Sequence, residues 1–358
     1  MYCKSNNFNN RNLTDKRIEW IDSLKGFLLL CICLSHFGFL PPLVRSLIYP
    51  TGSVWVPAFF FLSGLLYSSK KHPSFNEFVF SKTKTLLIPY LFFFLVFTLC
   101  DWNIVLKTSE MLKNNFQALI NGGGPEKATP IWFVIRLFCA NVLYFLLERN
   151  VRSSILRIVI LIVLFVIGYY LHLNGVNFPL SLDIVFSAML FLGIAHIFKS
   201  ELMKEISFLR KYHLYAVLVV SALGIIAWYT LVRNPDAVMA QNKVHNLFFF
   251  FLTSLGGTIA VVFLFSTLLE KLSSRKAFLI LQYISKNGIV ILATHCYCVF
   301  IVDAIAKFVG IENQYLIFLL KILILVTAMH FIIVPLINNK FYFFVGKKRL
   351  TYKQSLKI

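Results

Sequence analysis

The chain has 358 residues, of which 58% are hydrophobic, 16% aromatic and only 14% charged, with a mean hydropathy of +0.76. Soluble domains carry roughly 25% charged and 45–50% apolar residues, so a disordered chain and an ordinary soluble enzyme are both excluded. Lys and Arg outnumber Asp and Glu by 35 to 15, a formal charge of +20. These basic residues fall in short segments between long apolar runs, which points to orientation in a lipid bilayer and not to nucleic acid as a partner.

A spanning helix needs about 20 mostly apolar residues. Ten such stretches follow in chain order, at 20–40, 53–69, 86–100, 130–147, 155–172, 179–198, 213–232, 246–269, 288–309 and 315–337. Their length rules out barrel strands, which alternate over about ten residues. The first follows a basic segment, as a signal peptide would. Nine spans come after it and no A-x-A-like site precedes Pro41, so it reads as a retained helix. The third is short and leaves room for a further turn at either end. The longest outer connection, Asp101 to Thr129, contains Asn121-Gly-Gly-Gly-Pro125, a turn signal.

With the N-terminus in the cytoplasm, the inner segments hold 26 Lys and Arg and the outer ones 6, while Arg136, Lys307 and Lys321 lie within spans. That asymmetry favours an even number of spans with both ends inside. The expected fold is therefore all-α: a polytopic membrane protein of about ten transmembrane helices, both termini cytoplasmic. Residues 1–19 form a cytoplasmic segment, 20–337 the membrane domain, and 338–358 a basic cytoplasmic tail. There is no internal repeat of the kind many transporters show, and no feature specifies an oligomeric state. Five of the seven cysteines (Cys31, Cys33, Cys139, Cys296, Cys298) sit in apolar runs and Cys100 at the edge of another, so buried thiols are expected and not a disulfide framework.

Ionisable side chains inside spans are costly, and each invites a functional reading. His36 is the most informative. Lys25 precedes it by eleven residues, which on a helix is about 20° in azimuth and ~16 Å along the axis. One face thus carries a cation near the cytoplasmic surface and an imidazole toward the outer half, with Asp22 and Cys33 roughly on the same face. A structural His bonded to a neighbouring helix, with Lys25 snorkelling, would give the same spacing. Arg136 follows Trp132 by four and shares its face. Cation–π contact, anion binding and an ion pair with Asp183 all fit it. Asp303 and Lys307, also four apart, are expected to pair. His196 and His330 read as structural or interfacial. Cys296 and Cys298 flank Tyr297, but a metal site would need more ligands converging, so no metal is expected.

Four segments, in order, resemble the acyltransferase-3 family of integral-membrane O-acyltransferases. Asp22-Ser-Leu-Lys25-Gly, ending ten residues on at His36, resembles its opening basic-residue-and-His motif, with Lys25 where the family usually has Arg. Phe59-Phe-Phe-Leu-Ser63-Gly64 resembles its Phe-rich Ser-Gly motif, and Pro130-Ile-Trp132 its Pro-x-Trp motif. Ser285-Lys-Asn-Gly with Thr294-His295 resembles its late span. The similarity runs from about Ile18 to Leu336.

The resemblance implies transfer of an acyl group, acetyl by family expectation, from cytoplasmic acetyl-CoA to a hydroxyl of a surface glycan or lipid-linked saccharide, in a prokaryotic-type plasma membrane. An alcohol is a poor nucleophile at neutral pH, and His suits the base role. His36 would be that base, with Asp22 or a polar group on another helix orienting the ring; an acyl-imidazole intermediate is the alternative. Lys25, with Lys82 and Lys84 before the third span, would meet the phosphates of the donor, unless Lys82 and Lys84 serve topology alone. Arg136 is a further donor contact. Trp132 would line the donor or sugar pocket, or pack in the core. Ser63 would be an oxyanion donor, or with Gly64 mark close helix packing. His295 would orient substrate, or be a buried structural residue. The tail after Leu336 is too short for a fused hydrolase-like domain. The competing functions are a transporter or flippase of lipid-linked glycan, a non-catalytic scaffold, and a member of another membrane acyltransferase superfamily with a late Asn…His pair.

Overall fold

Every regular element among the described residues of the computed structural model is helical. The structure describes residues 18–48, 51–100, 108–176, 178–234, 239, 244–269 and 274–347. The expected cytoplasmic N-terminal segment, except Ile18 and Glu19, lies outside those residues, as does the tail beyond Lys347.

In chain order the helices are α1 Glu19–Ser35, α2 Pro42–Ile48, α3 Gly52–Leu66, α4 Phe75–Leu99, α5 Thr108–Ile120, α6 Ala128–Asn150 and α7 Ser154–Leu173. They continue with α8 Pro179–Ile197, α9 Lys199–Lys211, α10 His213–Arg233, α11 Leu247–Leu269, α12 Arg275–Lys286, α13 Gly288–Val309 and α14 Gln314–Lys340. Eight of these (α4, α6, α7, α8, α10, α11, α13 and α14) are long and apolar enough to cross a membrane, and α2 with α3, meeting at a 49° bend, makes up to nine. The expected first span is shorter than its 20–40 bounds, because α1 stops after 17 residues. Gly38 at φ +74° and the pair Pro41-Pro42 end it, since the residue before a proline leaves the helical region.

The third span is longer than expected. α4 begins at Phe75, eleven residues ahead of the 86–100 reading, where Ser74 Oγ accepts the Glu77 backbone N–H at 3.2 Å. Ser74-Phe-Asn-Glu77 is a capping-box sequence. A π-turn over Thr83–Leu87 then carries the helix on into its apolar half. Lys82 and Lys84 therefore lie within this helix and not ahead of it.

Hydropathy alone does not separate lipid-facing helices from central ones. The most apolar stretch of α7 is more apolar than that of α8, yet only 17% of it is buried against 61% for α8. α3 packs against α8, α11 and α1, and α1 packs in turn on α12 and α13. These central helices approach closely at two glycines. A Cβ on Gly64 would overlap the Leu192 carbonyl of α8, and one on Gly26 the Leu281 carbonyl of α12. Small residues at helix crossings let backbones meet where apolar burial gives no drive in lipid.

Gly64→Val should therefore force α3 from α8 and lower the melting temperature of the detergent-purified protein. Gly224→Ala, whose added methyl meets nothing within 4 Å, should leave it unchanged or slightly raised.

Candidate functional site

The early end of α1 decides where His36 sits. It is the residue just past the last helical one, with φ −97° and ψ 4°, and it is exposed. The ring's Nδ1 lies 2.7 Å from the Ile32 carbonyl oxygen and 3.3 Å from Ser35 Oγ. A carbonyl can only accept, so Nδ1 carries the hydrogen, and in the neutral ring Nε2 keeps its lone pair. Asp22 is buried in the first turn of α1, fourteen residues back and about 21 Å along the axis. The backbone of Ile32, and not Asp22, orients the ring.

His295 is fully buried in α13 and repeats this arrangement. Its Nδ1 lies 3.0 Å from the Ile291 carbonyl oxygen, which again leaves Nε2 as the acceptor, here 3.4 Å from the Cys296 sulfur. The two imidazoles meet edge to face with centroids 5.2 Å apart. One ligand-type atom from each of His36, His295 and Cys296 lies within 4.8 Å of the other two. The convergence of ligands around Cys296 that its own helix does not supply comes from a tertiary contact, and Cys298 is not part of it.

Three helices are tied together beside this pair. Lys321 of α14, 5% exposed, donates to the Phe37 carbonyl at 2.6 Å and pairs with Asp303 of α13 at 2.7 Å. The expected Asp303–Lys307 pair gives way to this one. Lys307 is exposed, while a buried ammonium is costly unless paired, so the inward-facing lysine takes the carboxylate. The clamp holds the residue next to His36 and the helix that carries His295.

The remaining predicted residues fall into separate places. Lys25 and Lys82 lie close enough for their charges to repel, so the structure does bring two of the expected cations together. The Lys82 ammonium sits 5.4 Å over the Phe78 ring, and that of Lys84, exposed, 4.8 Å over Phe80. Arg136 is buried. Its guanidinium lies 4.3 Å over the half-buried Trp132 ring and donates through Nη2 to Ser181 Oγ at 3.0 Å. Ser181 Oγ donates onward to the Asn121 carbonyl at 2.7 Å, so the Gly-rich turn rests on this arginine. Ser63 accepts from Asn141 Nδ2 at 3.4 Å, three residues from the end of α3. It is not brought to His36, and its Gly64 neighbour serves helix packing. His196 lies in a polar cluster: Tyr144 Oη is 2.9 Å from its Nδ1, and Glu148, 3.8 Å away, accepts from Tyr67 Oη at 2.9 Å.

Sequence reasoning placed Lys321 within a span but gave it no partner, and missed Cys296 as a partner of the imidazoles. The signal for Lys321 was present: a lysine deep in the most apolar window of the chain requires an anion or carbonyls nearby. No sequence signal names its partners.

Residues 18–337 match the acyltransferase-3 family model, which is described as an acyltransferase domain. No curated protein and no solved structure matches the chain.

Lys321→Ala should lower the melting temperature of the purified protein by several degrees, with partial recovery in Lys321→Arg. Lys307→Ala should leave it unchanged. The reverse pattern would restore the Asp303–Lys307 pairing.

Proposed function

Since this chain belongs to the acyltransferase-3 family, we propose that it is a membrane O-acyltransferase moving an acyl group, acetyl in the simplest case, from cytoplasmic acyl-CoA to a hydroxyl of a cell-surface or lipid-linked glycan. The observation that carries this reading is the exposed His36 ring, whose Nδ1–H is committed to the Ile32 carbonyl at 2.7 Å and whose Nε2 is thereby an acceptor. An acceptor nitrogen at an open helix end is the arrangement a general base needs.

The chemistry then follows. A sugar hydroxyl donates its proton to His36 Nε2 as its oxygen attacks the thioester carbonyl. The C–O bond forms and the C–S bond breaks. The imidazolium returns the proton to the departing CoA sulfur, giving ester and free CoA thiol. His295, whose ring meets that of His36 at 5.2 Å, orients the acceptor or shares the developing charge. In this reading Lys25 and Lys82 meet the donor's phosphates at the cytoplasmic side, because two nearby cations gain from an anion between them. The ~16 Å from Lys25 to His36 along α1 is the path the pantetheine arm spans. Trp132 and Arg136, stacked at 4.3 Å, suit a sugar ring or an anionic acceptor at the outer side. This orientation, with both termini cytoplasmic in the plasma membrane, rests on the 26 to 6 split of basic residues between inner and outer segments.

Purified protein given labelled acetyl-CoA and a total cell-glycan extract should release CoA and label the glycan. His36→Ala should cut that rate by about 10²–10⁴-fold, the usual worth of a positioned base. A transporter would give no acylated product, and an unchanged rate in the variant would remove His36 from the chemistry. Lys25→Ala and Lys82→Ala should raise KM for acetyl-CoA with a smaller effect on kcat.

A further inference from the structure

We propose that His36, His295 and Cys296 form a binding site for a divalent transition-metal ion of zinc's chemistry. Among the described residues they are the one group of three or more His, Cys, Asp or Glu side chains close enough to hold an ion, with ligand atoms within 4.8 Å of one another. Two imidazole nitrogens and a thiolate are donors that zinc prefers over the oxygen ligands of magnesium or calcium.

The supporting contacts are those of a metal site. Metal-bound histidines donate their other ring N–H to a carbonyl or carboxylate, which fixes the tautomer and the direction of the ligating nitrogen. Both rings do so, to the Ile32 and Ile291 carbonyls at 2.7 and 3.0 Å. With Zn–N near 2.0 Å and Zn–S near 2.3 Å, ligand atoms in a tetrahedral site sit roughly 3.5 Å apart. The Cys296 sulfur and His295 Nε2 are already at 3.4 Å. All three ligand atoms lie within 4.8 Å of one another, so His36, the exposed residue beyond the end of α1, would draw in to complete the set. Its exposed edge is also the ion's way in, and the fourth coordination position is left to water.

On binding, the Cys296 thiol loses its proton to bulk water as the Zn–S bond forms, and both histidines bind as neutral imidazoles. No oxidation or reduction occurs. The ion takes the Nε2 lone pair of His36. If the acyl-transfer reading holds, zinc is therefore an inhibitor of the enzyme; that consequence rests on the proposed function, whereas binding rests on geometry alone.

The test uses full-length purified protein, stripped with a chelator, equilibrated with zinc chloride and passed through gel filtration, with zinc per chain read by mass spectrometry. Wild type and Cys298→Ser should retain about one zinc. His36→Ala, His295→Ala and Cys296→Ser should each lose it, weakening binding by more than the roughly 10–100-fold that a supporting contact costs. Zinc retention equal to wild type in any of these three, or no retention by wild type, overturns the site. Cobalt(II) loaded into the wild-type chain keeps the test independent of variant folding: a thiolate-to-cobalt charge-transfer band is expected, and its absence overturns the proposal. Zinc that binds as described to a chain without transferase activity would refute the catalytic reading and leave this one standing.

Discussion

An imidazole in an apolar helix bundle has few acceptors for a ring N–H, and the nearest is the carbonyl one turn back on its own helix. His36 and His295 both use it, at 2.7 and 3.0 Å. That local bond fixes each tautomer, orients each ring and leaves Nε2 with a lone pair. The two rings meet edge to face with centroids 5.2 Å apart. The proposed base role and the proposed metal site both rest on this one constraint. The two proposals would use the same lone pair, so zinc bound there would exclude the proposed base role.

The pair exists only because other residues hold two helices in register. Lys321 bridges the Phe37 carbonyl and Asp303, which ties the last long helix to both histidine-bearing elements. Gly26 and Gly64 let α1 and α3 approach their neighbours at backbone distance. In lipid the hydrophobic effect does not drive helices together, so close packing and buried polar contacts carry that work. The clamp also explains how a lysine survives in an apolar helix: one partner is on α13 and the other in the turn after α1.

Local periodicity was readable from the residues alone. Trp132 and Arg136, four apart, do stack, and the ordered motifs from Ile18 to Leu336 agree with the family match over 18–337. The apolar runs also gave the eight long helices. The reading failed where one signal outweighed another. A window average cut the third span at residue 86, although the capping box at Ser74 marked its start eleven residues earlier. It also ran the first span on to Leu40, although α1 stops at Ser35 and Gly38, Pro41 and Pro42 follow. Contacts between distant helices left no trace. Asp303 chose Lys321 over the helical neighbour Lys307, and nothing in the sequence places Cys296 beside His36. Asp22 looked like the ring's partner because it shares a face, but shared azimuth says nothing about the distance along the axis.

The most direct measurement is ¹⁵N NMR of histidine-labelled protein, with His36 assigned by its loss in His36→Gln. Direct hydrogen bonding of Nδ1 to Ile32 predicts that the neutral form of the ring is the Nδ1-protonated tautomer, with an unprotonated Nε2 resonance. A ring protonated at Nε2 would aim its lone pair at a backbone carbonyl, and would contradict both the base and the metal site built on that nitrogen.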